Sequence, residues 1–209
     1  MTRSNQHLVI WLSAVCAVIF TMIIFGGLTR LTQSGLSMVD WRPIMGVIPP
    51  ITVAEWQDTF DAYKSYPEYQ KINIGMTLPE FKTIFYWEYG HRVLGRVIGL
   101  IFFLPFVIFL LMGKVQRRWM LPLWFALFLG GLQGLMGWYM VQSGLVDVPH
   151  VSHYRLAAHL SLALIIMGYL FWLILDMLDV GRQKVGGGFR LGSIGLALLL
   201  AIQFVFGAF

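Results

Sequence analysis

The feature that most constrains this chain is a series of apolar runs, each about as long as a bilayer is thick. A membrane-spanning helix needs about 20 mostly apolar residues. Four runs meet this length in full, at residues 8–27, 85–112, 120–141 and 156–175, and a fifth begins at residue 191 and continues to residue 209. The sequence therefore predicts an all-α integral membrane protein, with a four-helix transmembrane bundle and the start of a fifth span.

The composition excludes several classes of protein. Hydrophobic residues make up 58% of the chain and charged residues 12%, whereas a soluble domain is about 45–50% apolar and about a quarter charged. This excludes a soluble globular enzyme and a disordered chain. No run of Lys and Arg is interleaved with aromatic residues, so we expect no nucleic-acid partner. The single cysteine, Cys16, lies in an apolar run, where a packing residue is expected.

Basic residues in the short connections predict the orientation, because cytoplasmic connections carry the excess of Lys and Arg. The third connection, 142–154, has none. The N-terminus and the second and fourth connections are predicted to be cytoplasmic, on the evidence of Arg3, Lys114, Arg117, Arg118, Arg182, Lys184 and Arg190.

The first apolar run is expected to be retained as a membrane span. It is longer than the apolar part of a signal peptide, and no small-residue cleavage site follows it.

The long first connection, residues 28–84, contains two helix-start patterns. Thr52 followed by Glu55 and Thr77 followed by Glu80 both have capping-box spacing. Structureless loops longer than about 15 residues are uncommon in compact domains, so we expect an ordered cap on the outer side. Its first helix should place three aromatic residues on one face, and its second should continue into the second span. The three are Trp56, Phe60 and Tyr63.

A short repeat is the pattern that two similar hairpins would leave, and the alternative is that a segment of four residues recurs by chance. Residues 33–36 and 142–145 both read Gln-Ser-Gly-Leu, and each copy follows an odd-numbered span. The third span also carries the pair Gly130 and Gly134. This spacing predicts close packing of helices or, alternatively, close approach to a flat macrocycle.

Ionisable residues inside spans are costly and are therefore candidates for function. His91 lies 21 residues before Met112 and His159 lies 17 before Asp176, which gives depths of about 31 and 26 Å from the cytoplasmic ends. The two histidines are thus predicted at similar depth on two helices. Such a pair is suited to the axial ligation of haem iron, and the alternative is that each histidine only hydrogen-bonds at the interface.

Charged residues surround both histidines in the sequence. Arg92 and Arg96 follow His91, and Arg155 shares a helical face with His159. Arginines pair well with carboxylates such as haem propionates, or they extend to the interface without binding anything. Glu88 stands three residues before His91, where it is predicted to orient the ring, to move a proton or to form an ion pair with an arginine.

Several segments together resemble the haem A synthase family. They are residues 26–38, 40–43, 46–50, 88–92 and 154–160. The resemblance implies eight spans in two similar halves, each with a histidine pair; one half holds a resident haem b and the other receives haem O. The enzyme oxidises the C8 methyl of haem O to a formyl group, which gives haem A for cytochrome oxidase. His91 and His159 match the pair on the substrate side, and Glu88 matches the acidic residue before it.

The resemblance sets the remaining expectations. Residues 1–190 would form the first half, with the substrate haem between His91 and His159, and residues 191–209 would begin the second half, which holds the resident haem b. Glu88 would be catalytic, and Arg92, Arg96 or Arg155 would pair with propionates. Candidate partners are the haem O substrate, the haem O synthase, the lipid bilayer and a second copy of the chain, in the bacterial plasma membrane. The alternative functions are a bis-histidine cytochrome b and a transporter.

Overall fold

The computed structural model describes residues 3–39, 47–146, 148–180 and 186–209. Within these ranges the chain forms seven helices: α1 (Arg3–Leu31), α2 (Val53–Lys64), α3 (Pro67–Lys71), α4 (Leu78–Leu111), α5 (Arg117–Gln142), α6 (His153–Met177) and α7 (Gly187–Gly207). Some residues used above lie outside the described residues: the motif positions 40–43 and 46, and Arg182 and Lys184 of the fourth connection.

Five helices, α1 and α4 to α7, are long and apolar enough to cross a membrane. The prediction of an all-α integral membrane protein is thereby confirmed. Each helix begins before its apolar run. Helix α4 starts at Leu78, seven residues before that run and at the helix start predicted from Thr77 and Glu80, and α7 starts at Gly187 rather than Leu191. Hydropathy locates the apolar part of a helix, whereas the helix itself continues until its backbone hydrogen bonds end at a cap.

The chain divides into two compact units. The first unit contains Met1–Phe20, Ile98–Gly134 and His153–Phe209, and the second contains Thr21–Val97 and Leu135–Ser152. Each unit is described by itself below.

Aromatic and polar contacts join neighbouring helices in the first unit. The indole of Trp11 in α1 stacks on Phe106 of α4, with 6.3 Å between ring centroids. Phe106 in turn meets Trp124 of α5 edge to face at 5.1 Å. The hydroxyl of Tyr169 in α6 donates to the backbone oxygen of Pro122 in α5 at 3.1 Å. These contacts, with the buried side chains between them, hold a bundle of four helix segments. The fully buried leucines are Leu8, Leu12, Leu123, Leu170 and Leu173.

Helix α7 is the least buried element of the first unit. None of its residues is buried. Just beyond its end, the ring of Phe209 stacks against His153 at 5.8 Å and meets Tyr154 edge to face at 5.3 Å. The start of α6 and the end of the chain are therefore in contact.

In the second unit the two Gln-Ser-Gly-Leu segments pack together. Both end a helix: Gln33 adopts a positive φ of 50° after α1, and Ser143 donates its hydroxyl to the backbone oxygen of Met140 at 2.6 Å. The buried side chain of Leu36, from the first copy, lies against Gly144, from the second. A Cβ at Gly144 would stand 2.6 Å from the Cδ1 of Leu36, so a side chain there would force Leu36 to move.

The helices predicted in the long connection are present. Thr52 and Glu55 form a complete capping box at the start of α2. At the start of α4, the Glu80 carboxylate accepts from the amide and the hydroxyl of Thr77, both at 2.7 Å. The predicted face of α2 is buried against the first turns of α4 in an aromatic cluster. Its buried members are Trp56, Phe60, Tyr63, Phe81 and Phe85.

A buried carboxyl lies beside this aromatic cluster. Glu68, in α3, is 6% exposed. The Tyr63 hydroxyl donates to it at 2.9 Å and accepts from the side-chain amide of Asn73 at 2.7 Å. Burial raises the pKa of Glu68 to about 7; the hydrogen bond from Tyr63 opposes this shift, and the negative charge of Glu88 adds to it. Burial also raises the pKa of Tyr63, as does the charge of Glu68.

We expect the stability of this cluster to fall as the pH rises. The pKa of Glu68 is about 7 when folded against an ordinary value of 4.5, so the folded form binds the extra proton between these values. Stability should be greatest below about pH 4.5, decline up to about pH 7 and then level off. Hydrogen exchange of the α2 and α3 amides, corrected for intrinsic rates, measures this.

The variant Glu68→Gln should remove the decline, because its amide is neutral at every pH. The matched control is Glu55→Gln. Hydrogen bonds from Thr52 and Ile51 lower the pKa of the exposed Glu55, so this control should leave the decline in place. A pH profile that is the same in Glu68→Gln and the unsubstituted protein would contradict the assignment.

Candidate functional site

The buried carboxylate of Glu88 joins two distant parts of the second unit. Glu88, in α4, is 2% exposed. One of its oxygens accepts from the Ser37 hydroxyl and from the Met38 amide, both at 2.7 Å. The other forms an ion pair with Arg92, one helical turn further along α4. Three donors thus hold an acceptor that would be costly to bury alone.

Arg92 completes this arrangement from the same helix. Its guanidinium also donates to the backbone oxygen of Met38 at 2.8 Å. The backbone N–H of Met38 is therefore bonded to Glu88 and its backbone oxygen to Arg92, so the segment after α1 is fixed to α4. The ion pair that the sequence offered as one role for Glu88 is present. The binding of a propionate by Arg92 and a catalytic role for Glu88 remain predictions.

His91 lies directly against the backbone of α1. A Cβ at Gly26 would stand 3.0 Å from the Cε1 atom of His91 and 3.6 Å from its Nδ1 atom. The adjacent Gly27 has open space at the same position. Phe25 approaches Gly90 of α4 as closely, at 3.2 Å from its Cβ position. Glycines on facing helices thus let α1 and α4 pack with the imidazole in contact with the backbone.

His159, in the first unit, is held by a side chain from α5. The amide nitrogen of Gln133 donates to the backbone oxygen of His159 at 3.1 Å and lies 3.4 Å from the Nε2 atom of its ring. The Nδ1 atom of His159 and the Oε1 atom of Gln133 are both buried, and neither has a hydrogen-bond partner among the described residues. The Nε2 side of this imidazole is therefore in contact with a neutral amide.

The two remaining arginines are placed one in each unit. Arg96 belongs to the second unit and Arg155 to the first, and both are partly buried. Their proposed roles toward propionates remain predictions. Among the described residues, no atom of another helix lies within 4 Å of the Cβ positions of Gly130 and Gly134. These residues therefore show no close helix packing at this pair, and close approach to a macrocycle stays a prediction.

Sequence reasoning missed three contributors to these sites. Gln133 was visible only as the polar residue of an apolar span, with no signal linking it to His159. Ser37 contacts Glu88 across 51 residues of sequence, and no local spacing indicates such a pair. Gly26 lies within one of the segments that resemble the family, but its contact with His91 depends on how α1 and α4 pack.

Comparisons with known proteins place the chain in one group. A family model named COX15-CtaA and described as "Cytochrome oxidase assembly protein" matches residues 9–209. A heme A synthase of Parvibaculum lavamentivorans is 48% identical over 209 residues, which is 100% of this chain and 61% of that relative. A heme A synthase of Nitrosospira multiformis is 55% identical over 94% of this chain and 55% of the relative. One of Flavobacterium psychrophilum is 43% identical over 99% and 62%.

The chain thus spans 55% to 62% of the length of these curated relatives. No solved structure matches it.

We expect Gly26→Ala to displace the His91 ring, because its methyl group would stand 3.0 Å from Cε1. The neighbouring Gly27→Ala is the matched control, since its methyl group meets nothing within 4 Å. The measurement is the imidazole NMR signal of His91 in histidine-labelled protein. Equal shifts in the two variants would contradict the contact, as would no shift in Gly26→Ala.

Proposed function

Because the chain belongs to the haem A synthase family of cytochrome oxidase assembly proteins, we propose that it supplies the substrate-binding part of an oxidoreductase that acts on haem. The substrate is haem O, and the product, haem A, carries a formyl group in place of the C8 methyl. The observation that supports this most directly is that His91 and His159 both lie on membrane-spanning helices, each seated against a specific neighbour.

The residues present fit a haem group. Imidazole nitrogens are common axial ligands of haem iron, and both candidate imidazoles are positioned by residues from another helix. His91 rests on the backbone at Gly26, and His159 meets the amide of Gln133. We propose that each imidazole binds haem iron. Ligation of a single iron by both remains the prediction made from the sequence. When bound, haem supplies the iron that carries out the redox chemistry.

The charged groups beside His91 suit two tasks for this chain. Glu88 is an acceptor held in a fixed place by three donors, so it is positioned to take protons released as the methyl group is oxidised. Arg92 keeps that carboxylate in place from one turn away. We propose Arg96 and Arg155, which are partly buried, as the arginines that pair with the propionates.

The membrane arrangement is part of the same proposal. Lys114 lies between α4 and α5, and Arg117 and Arg118 are the first two residues of α5. Cytoplasmic connections and the helix ends beside them are enriched in basic residues. We propose a location in the bacterial plasma membrane with a cytoplasmic N-terminus. A resident haem b, the haem O synthase and a second copy of the chain are proposed as further partners.

The histidine assignment is tested by His91→Ala and His159→Ala. Either substitution should remove most of the bound haem, because each deletes a proposed iron ligand. The matched control is His150→Ala, which changes a histidine in the connection before α6. The measurements are the optical spectrum and the extracted pigment of the purified protein. Haem retention equal to the control in both variants would contradict the site, and haem retained without any haem A would indicate a cytochrome b.

The role of Glu88 is tested separately by Glu88→Gln. The amide oxygen can still accept from Ser37 and Met38, but the charge is gone. Positioned acid–base groups contribute about 100-fold or more to a rate, so haem A formation per folded protein should fall by about that factor while the folded protein still takes up haem. Glu80→Gln is the control, because it makes the same change at an exposed carboxylate of the same helix. Haem A formation at the unsubstituted rate in Glu88→Gln would contradict proton transfer by Glu88.

A further inference from the structure

The contact between Gln133 and His159 determines which ring nitrogen carries the proton. The Gln133 amide nitrogen has two N–H groups and no lone pair to offer. One N–H donates to the His159 backbone oxygen at 3.1 Å, and the same nitrogen lies 3.4 Å from the ring Nε2 atom. A favourable contact there requires Nε2 to be the acceptor, so the ring proton is on Nδ1.

The orientation of the amide is itself fixed by the backbone. If oxygen and nitrogen were exchanged, the Gln133 oxygen would face the backbone oxygen of His159, and two acceptors would repel. In the orientation seen, Oε1 is buried without a partner among the described residues. Leaving an acceptor unpaired is unfavourable. The two donor contacts toward His159 therefore decide how this side chain lies.

The Nδ1 atom of His159 has no acceptor among the described residues, whereas the second ring nitrogen of a metal-binding histidine usually has one. A ligating histidine nearly always donates its second ring N–H to a carboxylate, a backbone oxygen or water, which makes the ligating nitrogen more basic. The Nδ1 atom of His159 is buried and has no such acceptor among the described residues. Among the described residues, no protein group therefore strengthens His159 as a ligand in this way.

We propose that Gln133 competes with iron for the Nε2 lone pair of His159, so that His159 is a ligand that releases its haem. The inference rests on the proposed function, because it takes His159 as an iron ligand. Gln133 is a positioning residue: its amide occupies Nε2 when iron does not. A protein that converts one haem into another must let the product leave. A competing amide favours release.

The test replaces Gln133 with methionine, which has a similar length and no donor. The protein is loaded with haem b, and haem transfer to excess apomyoglobin is followed by absorbance. Gln133→Met should lose haem about three- to tenfold more slowly, the factor set by one hydrogen bond. The control is Gln142→Met, the same replacement at the end of α5, which should match the unsubstituted protein. His159→Ala shows whether retention depends on this ligand.

A second measurement needs no haem. The 15N shifts of the His159 ring in haem-free protein report the tautomer, and we expect the proton on Nδ1. In Gln133→Met the preference for that tautomer should weaken, whereas Gln142→Met should keep it. The tautomer of His159 can be measured in the unsubstituted protein alone, even if a variant is unstable.

The outcomes separate the two proposals. If His159→Ala retains haem as well as the unsubstituted protein, His159 is not a ligand, and both the site assignment and this inference fail. If retention depends on His159 but Gln133→Met loses haem at an equal or faster rate, only the competition is overturned. A proton found on Nε2 in the haem-free protein overturns it as well. Slower haem loss together with the Nδ1 proton supports it.

Discussion

The buried carboxylate of Glu88 is the interaction on which the order of the second unit depends. A charge this deeply buried is stable only when it is paired and hydrogen-bonded, and here the donors come from two places. Arg92 belongs to the same helix, whereas Ser37 and Met38 belong to the segment that follows α1. The electrostatic requirement of one side chain thus fixes where the chain runs after its first span. Removing one partner of such a pair commonly costs about 3–5 kcal/mol.

The two histidines have different surroundings, although the sequence presents them as equivalents. His91 packs against a glycine backbone and lies one turn from a network of full charges. His159 meets a neutral glutamine amide, in a setting where one ring nitrogen has no partner among the described residues.

The sequence predicted what depends on local spacing. The apolar runs located five membrane-spanning helices, and the capping pattern at Thr52 located α2 together with its buried aromatic face. An ion pair of Glu88 with an arginine was one of the alternatives that the sequence offered, and the structure shows it with Arg92. The contacts of Ser37 with Glu88 and of Gln133 with His159 span 51 and 26 residues. Such contacts follow from how helices pack, and one sequence contains no period that encodes them.

The packing of Leu36 against Gly144 couples two positions that are far apart in the sequence. A side chain at position 144 would press on Leu36, so a larger residue there should be accommodated most easily when position 36 becomes smaller. These two positions are therefore expected to vary together among related proteins.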